Sequence, residues 1–376
     1  MRRNRREARA AHRARRLPAR SRLSLNNVEI SVPGRLCLFG EHSDWAALYR
    51  GSDLSIAPGC CLVAGTDQGL HALAEGPIDT FEMVSDLPHG GRAGPLRLPA
   101  NPHELGTAAR RRDFFSYAAG VAAEVGVRHA VRGLRLSVRG DLPMGRGLAS
   151  SAALCVLVAR AFNKVYELGL AIPEEMELAY AGERRAGSEC GRMDQVCAFG
   201  RGPLFVRFDG PRLTIEPIEP GETLYLLIVD LCQTKDTRRI LKDLNACFPS
   251  TPGAVAAAVR EALGPRNAEI LGRARAIVGR GDARALGELM IEAQAVFDAS
   301  VAPACPELRA PRLHATLDHP ALRDLAFGGK GVGSQGDGCA QLVARGAEER
   351  QRLAHRLESE LGVRCLPVTL QPGARD

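Results

Sequence analysis

The sequence predicts an α+β protein of two domains, and three observations carry that prediction. Strand-like apolar runs and helical stretches mix without the strict βαβ alternation of a doubly wound sheet. The chain has 376 residues, more than the roughly 250–300 that one hydrophobic core serves. Its composition, 45% hydrophobic and 25% charged, is that of a globular chain with a large core and excludes collagen-like, coiled-coil and wholly disordered classes.

The net charge of +7 is unevenly placed. Residues 1–22 hold ten arginines against one acid, Glu7, and carry +9, which leaves −2 on the other 354 residues. Residues 1–22 therefore read as a disordered Arg-rich tail on a slightly acidic body. Such a tail gives at most weak, salt-sensitive affinity for nucleic acid, and it has no aromatic residue to stack on bases. No apolar run reaches the ~18–20 residues of a membrane helix, and Leu23 to Ile30 is too short and polar for a secretory core. A cytoplasmic protein without membrane contact is expected. The 11 cysteines are odd in number, scattered and without a Cys-x-x-Cys pair, which suits reduced core thiols better than disulfides or zinc.

In chain order, residues 28–34 and 35–39 read as two short strands, the second buried. Glu41-His42-Ser43-Asp44-Trp45 crowds polar groups at its end. Residues 60–66 read as another apolar strand, 77–106 as a Pro/Gly-rich connection, 113–125 as a helix and 134–139 as a half-exposed strand. Asp141-Leu-Pro143-Met-Gly145-Arg-Gly147-Leu148-Ala-Ser150-Ser151 is a glycine loop running into an almost wholly apolar helix. A helix from Pro173 to about Arg185 has acids first and arginines last, as its dipole favours, and leads into Cys190-Gly-Arg-Met193-Asp194-Gln195. Residues 200–222, rich in Gly and Pro, place the domain boundary, so the expected units are 23–205 and 206–376. The second unit reads as a strand at 224–230, helices at about 254–280 and 283–299, a Pro-rich break at 303–311, a glycine loop and strand over 328–344, a helix at 346–361 and a strand at 364–370.

Four clusters could carry chemistry. Gly145 and Gly147 allow close backbone approach to a bound group, and the following helix offers unpaired N–H groups and a positive dipole end beside Ser150 and Ser151. A capped turn before a core helix is the structural alternative. The second loop, Gly328-Gly-Lys330-Gly331-Val-Gly333-Ser-Gln-Gly336-Asp-Gly338, has a glycine density that close ligand approach explains better than a linker does, and two such loops point to a nucleotide. Arg35, Glu41, His42 and Asp44 could fix several hydroxyls of a polyol, or form a capped turn. Glu183 precedes Asp194 by eleven residues, either as a second acid of a site or as part of an exposed helix face.

Taken together and in this order, the clusters resemble the GHMP kinase family. Pro33-Gly-Arg35-Leu-Cys-Leu-Phe-Gly40-Glu41-His42-Ser-Asp44 is similar to its first motif, Pro143 to Ser151 to its second and Lys330 to Gly338 to its third. Gly40-Glu-His-Ser-Asp44 and Cys190 to Gln195 look most like the galactokinase branch, although Trp45-Ala-Ala-Leu follows Asp44 where that branch reads Tyr-Asn-Gly-Gly. The resemblance implies a ribosomal S5 domain 2-like N-terminal domain, a ferredoxin-like C-terminal domain and ATP- and Mg²⁺-dependent phosphorylation of a sugar or related polyol, with mevalonate as an alternative acceptor. It implies Asp194 and Arg35 as catalytic residues. It implies Pro143, Gly145, Gly147, Leu148, Ser150, Ser151, Lys330, Gly331 and Gly333 as ATP-binding residues. Ser151 and Glu183 would hold the metal, and Glu41, His42, Asp44 and Asp194 the acceptor. A kinase-derived sensor that binds sugar and nucleotide without transferring phosphate is the alternative from outside enzymology.

Overall fold

The computed structural model describes residues 26–87 and 90–373; the Arg-rich segment 1–22 lies outside them. Seven strands form the first sheet: β1 (Asn26–Phe39), β2 (Gly59–Ile78), β3 (Thr80–Asp86), β4 (Arg92–Pro99), β5 (Gly133–Gly140), β6 (Leu204–Asp209) and β7 (Arg212–Pro217). Their order is β4-β3-β5-β2-β6-β7, with β1 paired to β2. All neighbours are antiparallel except β3 and β5. At 20 residues, β2 is long enough to pair with β1 along one edge and with β6 and then β5 along the other.

The second sheet has four strands, β8 (Leu224–Asp230), β9 (Ala326–Gly331), β10 (Cys339–Ala344) and β11 (Arg364–Leu370), in the antiparallel order β11-β8-β10-β9. With β10 inserted between β8 and β9, this is the split arrangement of a ferredoxin-like sheet. The helices are α1 (Ser43–Ala46), α2 (Pro102–Ala109), α3 (Ser116–Arg128), α4 (Ser150–Val165), α5 (Ile172–Arg185), α6 (Thr237–Asn245), α7 (Ala254–Leu263), α8 (Pro265–Arg280), α9 (Ala283–Ser300), α10 (Pro311–Leu317), α11 (Leu322–Leu325) and α12 (Ala347–Leu361). Helices α3, α4 and α5 pack on one another, and α4 also packs on β1 and β2. Nearly every side of α4 is apolar and buried, from Ala152 to Val165, as expected of a helix enclosed on all sides. The main core joins residues of both sheets, including Leu36 and Leu62 of the first and Leu226 and Ile228 of the second.

The mixed α+β class agrees with the sequence, and four local readings are corrected. The two expected strands 28–34 and 35–39 are one strand, β1, whose register shifts between Pro33 and Arg35. The connection 77–106 contains the hairpin β3–β4 and helix α2. The expected boundary at 205/206 falls inside β6, whose hairpin with β7 completes the first sheet, so the change of sheet comes after Pro217. Gly328 to Gly331 belong to β9, paired with β10, and at Gly328 helix α9 approaches at backbone distance. A Cβ on Gly287 of α9 would stand 2.8 Å from the Gly328 nitrogen and 2.6 Å from the Phe327 Cβ.

Candidate active site

The clusters separated by up to 300 residues in sequence meet at one cleft of about 940 Å³. Arg35, His42, Asp44, Gly145, Gly147, Ser150, Ser151, Glu183, Asp194 and Gly333 all line it. Arg35 comes from the buried half of β1 and is 3% exposed. Its backbone N–H donates to the Leu148 carbonyl (3.0 Å), which ties the strand to the first glycine loop. Its Nη2 donates to Asp194 Oδ1, at the start of the turn Asp194–Phe199. Burial works against the Arg35 charge, yet Asp194 beside it holds the pKa above its ordinary value. Nε and Nη1 of Arg35 are buried without a hydrogen-bond partner among the described residues. A guanidinium with two unused N–H groups beside a cleft fits an anion in the planar, charge-assisted manner such groups favour.

Glu183 lies in the last turn of α5 and is 2% exposed, which removes the exposed-face alternative. Burial, with Asp194 adding, pushes its carboxyl up to about 7, while hydrogen bonds from Ser151, Gln195 and Cys190 act in the opposite direction. The Gln195 Nε2 donates at 2.7 Å. Carboxylate and hydroxyl oxygens from Glu183 and Ser151 thus stand together on the cleft wall. This donor set fits Mg²⁺, which takes one or two protein oxygens and completes its shell with phosphate and water.

Asp44 and His42 flank the turn into α1. Burial, again with Asp194 adding, raises the Asp44 carboxyl to about 6, against backbone hydrogen bonds from Trp45 and Met193. The Met193 N–H donates to Asp44 Oδ2 at 3.4 Å. Burial lowers the His42 imidazole to about 4, so the ring is neutral near pH 7. Its Nδ1 accepts from Trp45 Nε1 (3.1 Å), which leaves the proton on Nε2. The ring stacks on Phe297 at 6.2 Å. His42 holds a left-handed φ of 67°, a conformation that costs a non-glycine residue and is concentrated at functional sites.

The two glycine loops touch. Gly147, at φ 78°, would carry a Cβ 3.5 Å from the Val332 carbonyl oxygen and 3.6 Å from the Gly333 Cα. Beside this contact Arg146 crosses to the second sheet, with Nη1 donating to the Gln233 carbonyl (2.7 Å) and Nε 3.1 Å from Asp230 Oδ2. The α4 N-terminus, at Ser150, opens into the same space and presents its unpaired N–H groups.

Five predicted residues do not line the cleft. Pro143 and Leu148 belong to the loop but sit back from the opening, Leu148 buried and serving Arg35 through its carbonyl. Glu41, Lys330 and Gly331 lie deeper, away from the cleft. Lys330 Nζ donates to Glu41 Oε1 and to the Gly331 carbonyl (2.8 Å), and the Gly331 N–H donates to Gln294 Oε1 (2.7 Å). Both members of the ion pair are buried and border a separate space of about 40 Å³ with Phe39, Asn267 and Gln335. Each charge neutralises the other in this arrangement.

The sequence reading also missed cleft residues: Tyr117 from α3, and Lys235, Arg238 and Lys242 in and just before α6. The position of Lys235 after the apolar strand β8 was their one available signal. Among the described residues, no group of three or more His, Cys, Asp or Glu forms a metal cluster, and the 11 cysteines are free thiols. No helix of the described residues is long and apolar enough to cross a membrane.

Residues 115–202, which run from the start of α3 to the turn after Asp194, match the family model "GHMP kinases N terminal domain". The solved structures extend the likeness over almost the whole chain. L. major mevalonate kinase in complex with R-mevalonate is 20% identical, with 93% of this chain and 98% of that chain covered at a TM-score of 0.68. Lactococcus lactis galactokinase complexed with galactose is 19% identical, with 92% and 94% covered and a TM-score of 0.68. Streptococcus pneumoniae phosphomevalonate kinase in complex with phosphomevalonate and AMPPNP is 16% identical, with 92% and 99% covered and a TM-score of 0.66. The fold is therefore that of the GHMP kinases, and residues 115–202 are the part that matches their N-terminal domain model.

Proposed function

We propose that this protein is an ATP-dependent kinase that transfers the γ-phosphoryl group to a hydroxyl of a small molecule, a sugar or related polyol. The observation that carries this reading is the pairing of Asp194 with Arg35 in a cleft that also holds a glycine loop, a helix N-terminus and the Ser151–Glu183 oxygen pair. Asp194 accepts and orients the acceptor hydroxyl, taking its proton as the acceptor oxygen bonds to the γ-phosphorus and the bond to the β-phosphate oxygen breaks. Arg35 keeps Asp194 in place, and its charge stabilises the transferring phosphoryl. The backbone at Gly145 and Gly147, with the first N–H groups of α4, cradles the remaining phosphates. Ser151 and Glu183 would hold Mg²⁺, which would supply neutralisation of the charge developing on the phosphates. His42 and Asp44 supply a donor and an acceptor for acceptor hydroxyls.

The polar pair His42 and Asp44 favours a sugar, the galactokinase-like reading, over mevalonate. A sensor that transfers nothing has no use for the Asp194–Arg35 pair. We place the enzyme in the cytoplasm and its two units on either side of the cleft, changing over after Pro217. The test is to incubate purified protein with ATP, Mg²⁺ and a panel of sugars, polyols, mevalonate and homoserine, following ADP release and product mass. Phosphorylation of a panel member is expected, and Asp194→Asn is expected to lower kcat by about 10²–10⁴-fold with ATP affinity kept within a few-fold. Full activity in that variant removes Asp194 from the role.

A further inference from the structure

The side of the cleft formed by α6 carries cations with no carboxylate at ion-pair distance among the described residues. One face of α6, Ile240 and Leu244, is buried with Cys247 and Phe248 against Trp45 and Ala46. Trp45 and Phe248 meet edge to face at 5.5 Å, and Tyr49 Oη donates to Asn245 Oδ1 at 3.0 Å. Helix α6 is thereby seated on α1, the element that carries Asp44, which places it at the acceptor end of the cleft. The cleft-lining residues it brings include Arg238 and Lys242, at i and i+4 on one face, and Lys235 precedes it.

Partners for these three cations can be counted. Arg239, which does not line the cleft, has Asp243 at 3.7 Å. Lys235 Nζ donates to a neutral carbonyl, that of Gln335 (2.7 Å). Arg238 and Lys242 have no hydrogen bond or ion pair among the described residues. The cleft carboxylates near the acceptor end are already engaged, Asp194 by Arg35 and Asp44 by backbone N–H groups. A neutral sugar would leave Arg238 and Lys242 without an ion-pair partner among the described residues, whereas an anionic group would complete them with charge-assisted hydrogen bonds.

On this geometry, and resting on the kinase reading above, we infer that the acceptor is an anion. It is a hydroxylated small molecule bearing a carboxylate or phosphate some atoms from the hydroxyl that is phosphorylated, with Lys242, Arg238 and Lys235 as the residues that select it. The same chemistry could be met by a sugar acid or by a sugar monophosphate, and the acceptors of the test separate these.

Initial rates are measured at saturating ATP and Mg²⁺ for matched acceptors: glucose and galactose, their uronic acids, and their 6-phosphates. At least one anionic member is expected to exceed its neutral parent in kcat/KM by about tenfold or more, the uronic acid or the phosphate identifying which anion fits. Arg238→Ala and Lys242→Ala are expected to raise the KM for that anion several-fold with the KM for ATP little moved, and Arg239→Ala is expected to change neither. Equal or better turnover of the neutral parents overturns the anionic acceptor and leaves the kinase standing. A rise in the KM for ATP alone, in either variant, also overturns it, since the cations would then serve the nucleotide. If no member of this set or of the wider panel is phosphorylated by the folded protein, the kinase reading falls and this inference with it.

Discussion

Glu183 and Asp44 keep their protons to higher pH than carboxyls in water do, and burial of both is the cause. Between the unfolded value of 4.5 and about 7, folded Glu183 binds more proton than unfolded Glu183, so its contribution to stability falls as pH rises through that window. Asp44 acts in the same direction from 3.8 to about 6. His42 opposes them, since a folded pKa lowered from 6.5 to about 4 weakens the fold as pH falls through that range. Comparing a variant with the parent protein isolates one group. Glu183→Gln can still accept from Gln195, so the melting-temperature advantage of Glu183→Gln over the parent, without nucleotide or metal, is expected to grow from pH 4.5 to 7 and then level off. Its ceiling is on the order of 3 kcal/mol. An advantage independent of pH would show that the carboxylate carries no such burden. The grouping of Arg35, Asp194, Glu183, His42 and Asp44 as polar clusters was legible in the sequence, and the structure brings them to one cleft. The burial of Glu183 was not, because periodicity puts a helix-end glutamate beside arginines on the solvent side.

At the scale of elements, the glycine loops show what a sequence can and cannot convey. Gly147 was readable as a close-approach position, and its φ of 78° is one that alanine occupies at a cost of about 1–2 kcal/mol. Gly147→Ala is expected to lower the melting temperature and raise the KM for ATP several-fold, with the acceptor KM moved less. An unchanged KM for ATP would detach this loop from nucleotide binding. Gly328 and Gly329 carried the same compositional signal for a different reason, because Gly328 makes room for α9 against β9 and Gly329 for Gln341 and Leu342 of the neighbouring β10. Glycine density announces that something comes close without saying whether it is a ligand or another backbone. The hairpin β3–β4 was hidden for a related reason. Its prolines and glycines, Gly91, Gly94, Pro95 and Pro99, read as a loop, but β4 is the edge strand of the sheet, where a missing N–H leaves no inner ladder bond unmade.

Across the whole molecule, the Lys330–Glu41 pair separates two meanings of a lysine in a glycine-rich run. If Lys330 bound phosphate, Lys330→Met would raise the KM for ATP. As a buried pair it predicts a loss of about 3–5 kcal/mol of stability, the usual cost of leaving a charge buried alone, with the KM for ATP of the folded fraction unchanged. Denaturant unfolding and ATP titration decide between the two. The double variant Lys330→Met, Glu41→Leu is expected to recover part of the loss, since both charges are then gone. Pairings of this range are invisible to local sequence patterns: Lys330 and Glu41 are 289 residues apart, and each taken alone sits inside a motif that suggests a ligand.

The same separation sets an order of events while the chain is made. Gln341 Nε2 donates to the Cys37 carbonyl at 2.8 Å, so a second contact at the end of β1 also waits for the last strands of the second sheet. At roughly 5–20 residues per second, Glu41 leaves the ribosome tens of seconds before Lys330 does. Throughout that interval the early strands can collapse together, but the inward end of β1 lacks both the cation and the amide that complete it. The end of the cleft that begins at His42 therefore takes its final shape only when synthesis is nearly over.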